Sequence, residues 1–211
     1  LQRDPELTAI NLPRLSQGRQ HPDMLVGAAI VDEDGSIVAV LVLEIDPEQD
    51  FTQILQRGRI GETGESYAFN ERGLLISESR FDDSLREIGL ITAEQRGILN
   101  ISISDPGGNL LEGFDASQEN QEFTLMAGNA LAGRSGLNLD GYRDYRGVPV
   151  IGAWMWDDRN HFGMATEMDV AEAYEPLLRQ RQMTLISTAL TSALILILTL
   201  LFLRNRREMA I

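Results

Sequence analysis

Apolar residues along this chain gather into short runs separated by polar turns, until one long unbroken run takes over near the end. "MLVGAAIVDEDGSIVAVLVLEID" reads as two β-rich runs around an "EDG" turn, which predicts a hairpin. The second run stops at Asp46, where Asp followed by Pro47 supplies an N-cap and a proline at the first helical position. A short helix over "PEQDFTQIL" is expected. Downstream, "ESYAFNERGLLISESR" predicts a strand at Ser66–Asn70, a turn, and a strand at Leu74–Ser79. A mixed region with short helical stretches comes next, with Thr92 and Gln95 spaced as a capping box and a strand expected near Ile98–Ser104. "NQEFTLMAGNALAG" has helical composition and ends at Gly133. Three strands close this part: Gly141–Arg146, Val148–Trp156 and Phe162–Asp169, the last two joined by "DDRN". Residues 1–23 read as polar and irregular.

One phrase occurs twice. In "LEIDPEQDFTQIL" and "TEMDVAEAYEPLL", Glu44 matches Glu167, Asp46 matches Asp169, Phe51 matches Tyr174 and Leu55 matches Leu178, at one constant offset. Each copy is a strand that ends at an Asp and turns into a helix. Asp169 with Glu172 completes a capping box in the second copy. Two structural units with the same ending are implied. Pro176 falls inside the second helix, where it lacks a donor and crowds the preceding turn. Either a kink or the start of a second helix is expected there. Asp169, Glu172 and Pro176 therefore form a candidate joint between the sheet and the C-terminal segment.

That segment contains Met183–Leu203, 21 residues without a charge, a proline or a glycine. At helical rise this covers the hydrocarbon thickness of a bilayer. Arg204, Arg206 and Arg207 beyond it predict a cytoplasmic C-terminal side, while Arg179 and Arg181 before it pull the other way. The formal charge of -14 sits on the body of the chain, since the tail is net basic. Such an acidic body argues against nucleic-acid binding. The absence of cysteine removes disulfides and thiolate chemistry.

The motifs give little chemistry. "GRIGETGE" lacks the lysine and the spacing of a phosphate loop. His21 and His161 lie far apart and neither has a second ligand at metal spacing, so no metal or other cofactor is expected. The acidic pairs Asp82–Asp83 and Asp157–Asp158 fall at element ends, and no nucleophile elbow is present, so an enzyme is not expected. "DGYRDYRGVPVIGAWMW" is more informative. Strand alternation places Tyr142, Asp144 and Arg146 on one face and Arg143 and Tyr145 on the other, with Trp154 and Trp156 sharing a face of the next strand. Tyr142, Asp144 and Trp154, with Arg80, are the candidate ligand-binding residues, suited to an amino acid or a small carboxylate. Cross-strand packing would explain the same pattern.

Taken together, "GETGESYAFNERGLLISESR", "DGYRDYRGVPVIGAW" and "FGMATEMDVAEAYEPL" resemble the membrane-proximal module of double Cache sensor domains, the PAS-like extracytoplasmic domains of bacterial signalling receptors. The resemblance implies an α+β fold: an antiparallel sheet with flanking helices, then one C-terminal transmembrane helix. It implies residues 1–57 as the end of a membrane-distal module, 58–182 as the proximal module and exit helix, 183–203 as the span and 204–211 as a cytoplasmic stub. The implied function is the ligand-sensing and signal-transmitting region of a receptor in the inner membrane, working as a homodimer, with a kinase, cyclase or chemoreceptor output elsewhere. The alternative is a membrane-anchored adaptor that binds a protein partner and no small molecule.

Overall fold

The computed structural model describes residues 8–15, 21–116 and 121–208. The chain divides into two compact units, Leu1–Val170 and Ala171–Ile211. The first carries two antiparallel sheets.

The first sheet has the order β1-β2-β3, formed by Thr8–Arg14, Asp23–Val31 and Ile37–Ile45. The expected hairpin is β2–β3. Its turn is held by Asp32, whose carboxylate accepts from the N–H groups of Asp34 and Ser36, and by Gly35 at φ 81°. Strand β1 corrects the reading of residues 1–23 as irregular. Pro13 hid it, but the β1–β2 register shifts between Asn11 and Arg14, and proline is tolerated at such an irregularity on an edge strand. Strand β3 is exposed from Ile37 to Glu44.

Asp46 does cap a helix. It accepts from the N–H groups of Glu48 and Gln49 at 2.9 and 3.2 Å. The first turn, Pro47–Phe51, is π-helical and leads into α1, Thr52–Gln56. Asp46→Ala should destabilise this turn by about 1 kcal/mol. Amide hydrogen exchange at Glu48 and Gln49 should then speed up about five-fold, and unchanged exchange there would show that Asp46 does not hold the turn.

The second sheet has the order β4-β7-β6-β5, built from Glu65–Asn70, Phe162–Asp169, Pro149–Asp157 and Gly136–Arg143. All its pairings are antiparallel. The expected strand at Leu74–Ser79 shrinks to bridges from Leu75 to Phe69 and from Leu74 to Ser102. The expected strand near Ile98–Ser104 survives only as bridges at Ser102 and Ser104, because Leu99 turns into the left-handed region at φ 59°. Thr92 and Gln95 form only one arm of a capping box, Thr92 N–H to Gln95 Oε1, and no helix follows. Helix α2 covers Asp82–Glu87 and α3 covers Leu125–Leu131, capped by Thr124. The first residue of the stretch read as helical, Asn120, lies outside the described residues.

The two faces of this sheet bury different sets. Tyr67, Phe69, Ala165, Val150 and Trp154 face a core completed by Leu75, Leu85, Ile103 and α3. On the other face Ala68, Phe162 and Met164 pack against Leu12, Phe51 and Leu55, which brings β1 and α1 onto the back of the sheet. The second unit is the body of helix α4, Val170–Glu208. It runs through Pro176 without restarting, so Pro176 does not open a second helix. Every side chain from Met183 to Leu203 is exposed, which is not how a core helix of a water-soluble domain behaves. Met209–Ile211, the end of the expected stub, lie outside the described residues.

Candidate functional site

Strand alternation sends the odd-numbered residues of β4 and β7 toward the core, and two of them are glutamates. Glu65 and Glu167 are direct cross-strand partners, only 2% and 4% exposed. Like charges placed opposite each other and dry are costly, so the pair needs donors or protons. Tyrosines supply the donors. Tyr67 Oη donates to Glu167 Oε2 at 2.7 Å and Tyr142 Oη to Glu167 Oε1 at 2.5 Å. Tyr145 Oη donates to Glu65 Oε2 at 2.7 Å, while Ser79 Oγ and the Arg80 N–H donate to Glu65 Oε1. Gly152 makes room for this: a Cβ there would lie 2.5 Å from Tyr142 Oη and 2.7 Å from Glu167 Cγ.

Burial, with the nearby Asp144 charge, pushes the Glu167 carboxyl up to about 8, although both tyrosine hydrogen bonds pull the other way. Burial also raises Glu65, against the pull of Tyr145, the Arg80 N–H and Arg146. Burial and the facing carboxylates hold the phenols of Tyr67, Tyr142 and Tyr145 well above their ordinary range.

Next to the glutamates lies a buried ion-pair clamp. Strand β5 ends at Arg143, and Asp144 to Gly147 form a tight turn closed by Gly147 N–H to Asp144 O and Asp144 N–H to Val148 O. The alternation expected across Tyr142 to Arg146 therefore stops at Arg143. Tyr145 and Arg146 are both buried, and Arg143 is exposed. Arg146 Nε donates to Asp144 Oδ2 at 2.6 Å and its Nη2 to Asp169 Oδ1 at 2.7 Å. Its guanidinium lies 3.6 Å over the Phe81 ring. Asp144 also accepts from the N–H groups of Arg146 and Val148. Asp169, the last residue of β7, thus meets a buried arginine one residue before α4 begins.

The four residues singled out as ligand-binding are placed as follows. Tyr142 and Trp154 meet edge to face, ring centroids 6.0 Å apart. Trp154 Nε1 donates to Arg134 O and Tyr142 to Glu167. Asp144 sits in the clamp. Arg80 stands apart, its guanidinium donating to the carbonyls of Gly64 and Gly61. It pins the "GRIGETGE" loop, which presents acceptors rather than the donors a phosphate would need. Within the first unit the polar atoms of these four residues are turned on the protein itself. Of the joint residues, Asp169 belongs to the clamp, Glu172 lies in the first turn of α4 and Pro176 lies inside it. His21 and His161 are exposed, beside Glu48 and Glu71. Among the described residues no group of three metal-ligating side chains occurs.

Sequence reasoning missed Glu65, Tyr67, Tyr145 and the partnership of Glu167 with them. The available signal was a glutamate at an inward position of an alternating strand, "FGMATEMD", followed by an inward aspartate.

No protein-family model matches this chain, and no curated protein matches it in sequence. Its fold is that of extracytoplasmic sensory domains, a PAS-like α+β architecture followed by a long apolar helix. The extracellular domain of mmHK1S-Z3, described as a histidine kinase, superposes with TM-score 0.50 at 15% identity, over 82% of this chain and 53% of that one. The periplasmic sensory domain of the Campylobacter jejuni chemoreceptor Tlp1 gives TM-score 0.44 at 14% identity, covering 80% and 51%. The ligand-binding domain of the Pseudomonas aeruginosa PAO1 amino acid chemoreceptor PctB, solved with L-Arg, gives 0.45 at 11%, covering 80% and 57%. The chain spans about half the length of these solved domains.

Proposed function

We propose that this chain is the sensing and membrane-crossing region of a bacterial receptor, responsive to a small molecule of the amino acid or carboxylate class. The observation that carries this reading is the order of contacts at the end of β7. Asp169 closes an interior strand of the sheet, is held by buried Arg146, and is followed at once by a helix whose Met183–Leu203 section is apolar and exposed. A shift in the sheet reaches that helix with no loop between them. In this reading residues 1–57 end a membrane-distal module and 58–182 form the proximal module and exit helix. Residues 183–203 cross the inner membrane, 204–211 enter the cytoplasm, and two copies work together. Asp169, Glu172 and Pro176 are the joint through which the signal leaves. A kinase, cyclase or chemoreceptor domain would receive it.

Reporter fusions test the topology. A cytoplasmic reporter joined after Ile211 should be active, and alkaline phosphatase at the same point should be silent. Phosphatase activity there would reverse the orientation and end the reading.

A further inference from the structure

The first unit contains a cleft of about 490 Å³ on the core side of the second sheet. Its polar wall is made by Asn100, Ser102, Ser104, Gln121 and Tyr145, and Pro106 and Leu110 are among its apolar residues. That size lies within the range of small-ligand sites. We infer that this cleft is a second effector site, for a small neutral polyhydroxylated molecule such as a polyol or monosaccharide. The inference deepens the receptor reading and rests on it.

Charge decides the class. None of the described residues that line the cleft is charged. Among these described residues an ion that gave up its water would find no counter-ion. An anion would also face the acidic body of the chain and Glu65 beneath Tyr145. Hydrogen-bonding capacity narrows the class further. The Asn100 amide is committed, donating to Arg96 O and Ile98 O and accepting from Gln95 Nε2. The Tyr145 hydroxyl is engaged with Glu65 and Ser79. Ser102 and Ser104 share one hydrogen bond of 2.7 Å between their hydroxyls. That bond uses one proton and one lone pair, so the pair can still both donate and accept. A hydroxyl-bearing ligand matches both capacities.

The cleft is also connected to the clamp. Tyr145 lines it, and the next residue is Arg146, which holds Asp169. The cleft loop meets the same turn, or the strand end just before it, at three points. Asp105 receives two hydrogen bonds from the Arg143 guanidinium, at 2.8 and 2.9 Å. Leu110 N–H donates to Arg146 O at 3.0 Å. Gly147, at φ 77°, lies so close to Gly108 that a Cβ would fall 1.8 Å from its carbonyl oxygen. A ligand that draws Leu110 and Ser104 together therefore moves the Tyr145–Arg146 turn, and with it the grip on Asp169.

The test uses the full chain in detergent micelles. Thermal unfolding is read from the emission of Trp154 and Trp156, both on β6. Probes at millimolar concentration are myo-inositol and D-glucose, set against L-alanine, succinate and putrescine. A neutral probe should raise Tm by several degrees and slow amide exchange from Asp144 to Val148. Ser102→Ala, which removes a hydroxyl, and Leu110→Phe, which narrows the cleft without adding a tryptophan, should each abolish both effects. Absence of stabilisation by either neutral probe overturns the inference, as does stabilisation that survives both substitutions. Stabilisation by L-alanine or succinate that survives both would leave the receptor reading standing and remove the cleft from it. The reporter fusions decide the receptor reading independently.

Discussion

Arg146→Ala is expected to destabilise the first unit by about 3–5 kcal/mol. The guanidinium is 3% exposed and answers two carboxylates, one of which, Asp144, is 1% exposed. Removing it leaves Asp144 dry and without its cation, which costs more than the pair contributes while intact. Asp169 keeps partial access to solvent and loses less. Arg146→Lys should recover only part of the loss, because one ammonium cannot present the planar fork that reaches Asp144 and Asp169 while lying flat on Phe81. The paired substitution Asp144→Asn with Arg146→Met should restore most of the stability, since it removes both charges together. Unfolding of the full chain followed by tryptophan emission measures all four proteins. An Arg146→Ala protein within about 1 kcal/mol of the parent would show that the clamp is not what holds the turn.

Stability should also fall as pH rises, with Glu167 as the main cause. Its carboxyl sits at about 8 in the folded chain against an ordinary 4.5. The folded state therefore keeps a proton that the unfolded state has released. The Glu167 contribution is whole below about 4.5 and is lost as pH climbs through about 8. A tenfold difference in proton affinity between the two states corresponds to about 1.4 kcal/mol, so the loss is on the order of a few kcal/mol. Glu65 and Asp144 are raised in the same direction, first by burial, and add to the slope with the same sign. Glu167→Gln retains an acceptor and a donor for the two tyrosines and removes the titration. Its Tm should fall clearly less steeply than the parent's from about pH 5 to about pH 9, keeping only the slope that Glu65 and Asp144 supply. Equal slopes in the two proteins would transfer the effect to another group.

The parts of this fold that were legible in the sequence are those fixed by local rules. The "EDG" hairpin, the Asp46–Pro47 helix start and the last two strands of the second sheet depend on alternation, turn residues and capping, all visible within a few residues. The apolar run needed only its length. The misses have a common origin in contacts between distant segments. Strand β1 contains a proline and few apolar residues, and exists because β2 offers it an edge and Leu12 finds Ala68 and Phe162. The segment from Leu74 to Ser104 has strand composition, but the backbone at Leu99 folds it away. The polar network was out of reach for the same reason. Alternation shows that Glu167 points inward, but not that Tyr67, 100 residues away, donates to it. Nor does the spacing in "DGYRDYRG" reveal that the strand ends at Arg143 and that Arg146 reaches β7.

Strand β7 lies between β4 and β6 and is paired on both sides over nearly its whole length. Side chains alternate along a strand, so a slip of one residue in either pairing would turn Glu167 and Asp169 out of the core and bring Thr166 and Met168 in. The tyrosine hydroxyls and Arg146 would then face nothing. A slip of two residues restores the facing but breaks every hydrogen bond on both edges during passage. The strand is keyed in place, like a bolt held by two racks. If α4 carries a message from this sheet, that message is a tilt or a twist of the sheet as a whole, because β7 cannot be drawn along its own axis.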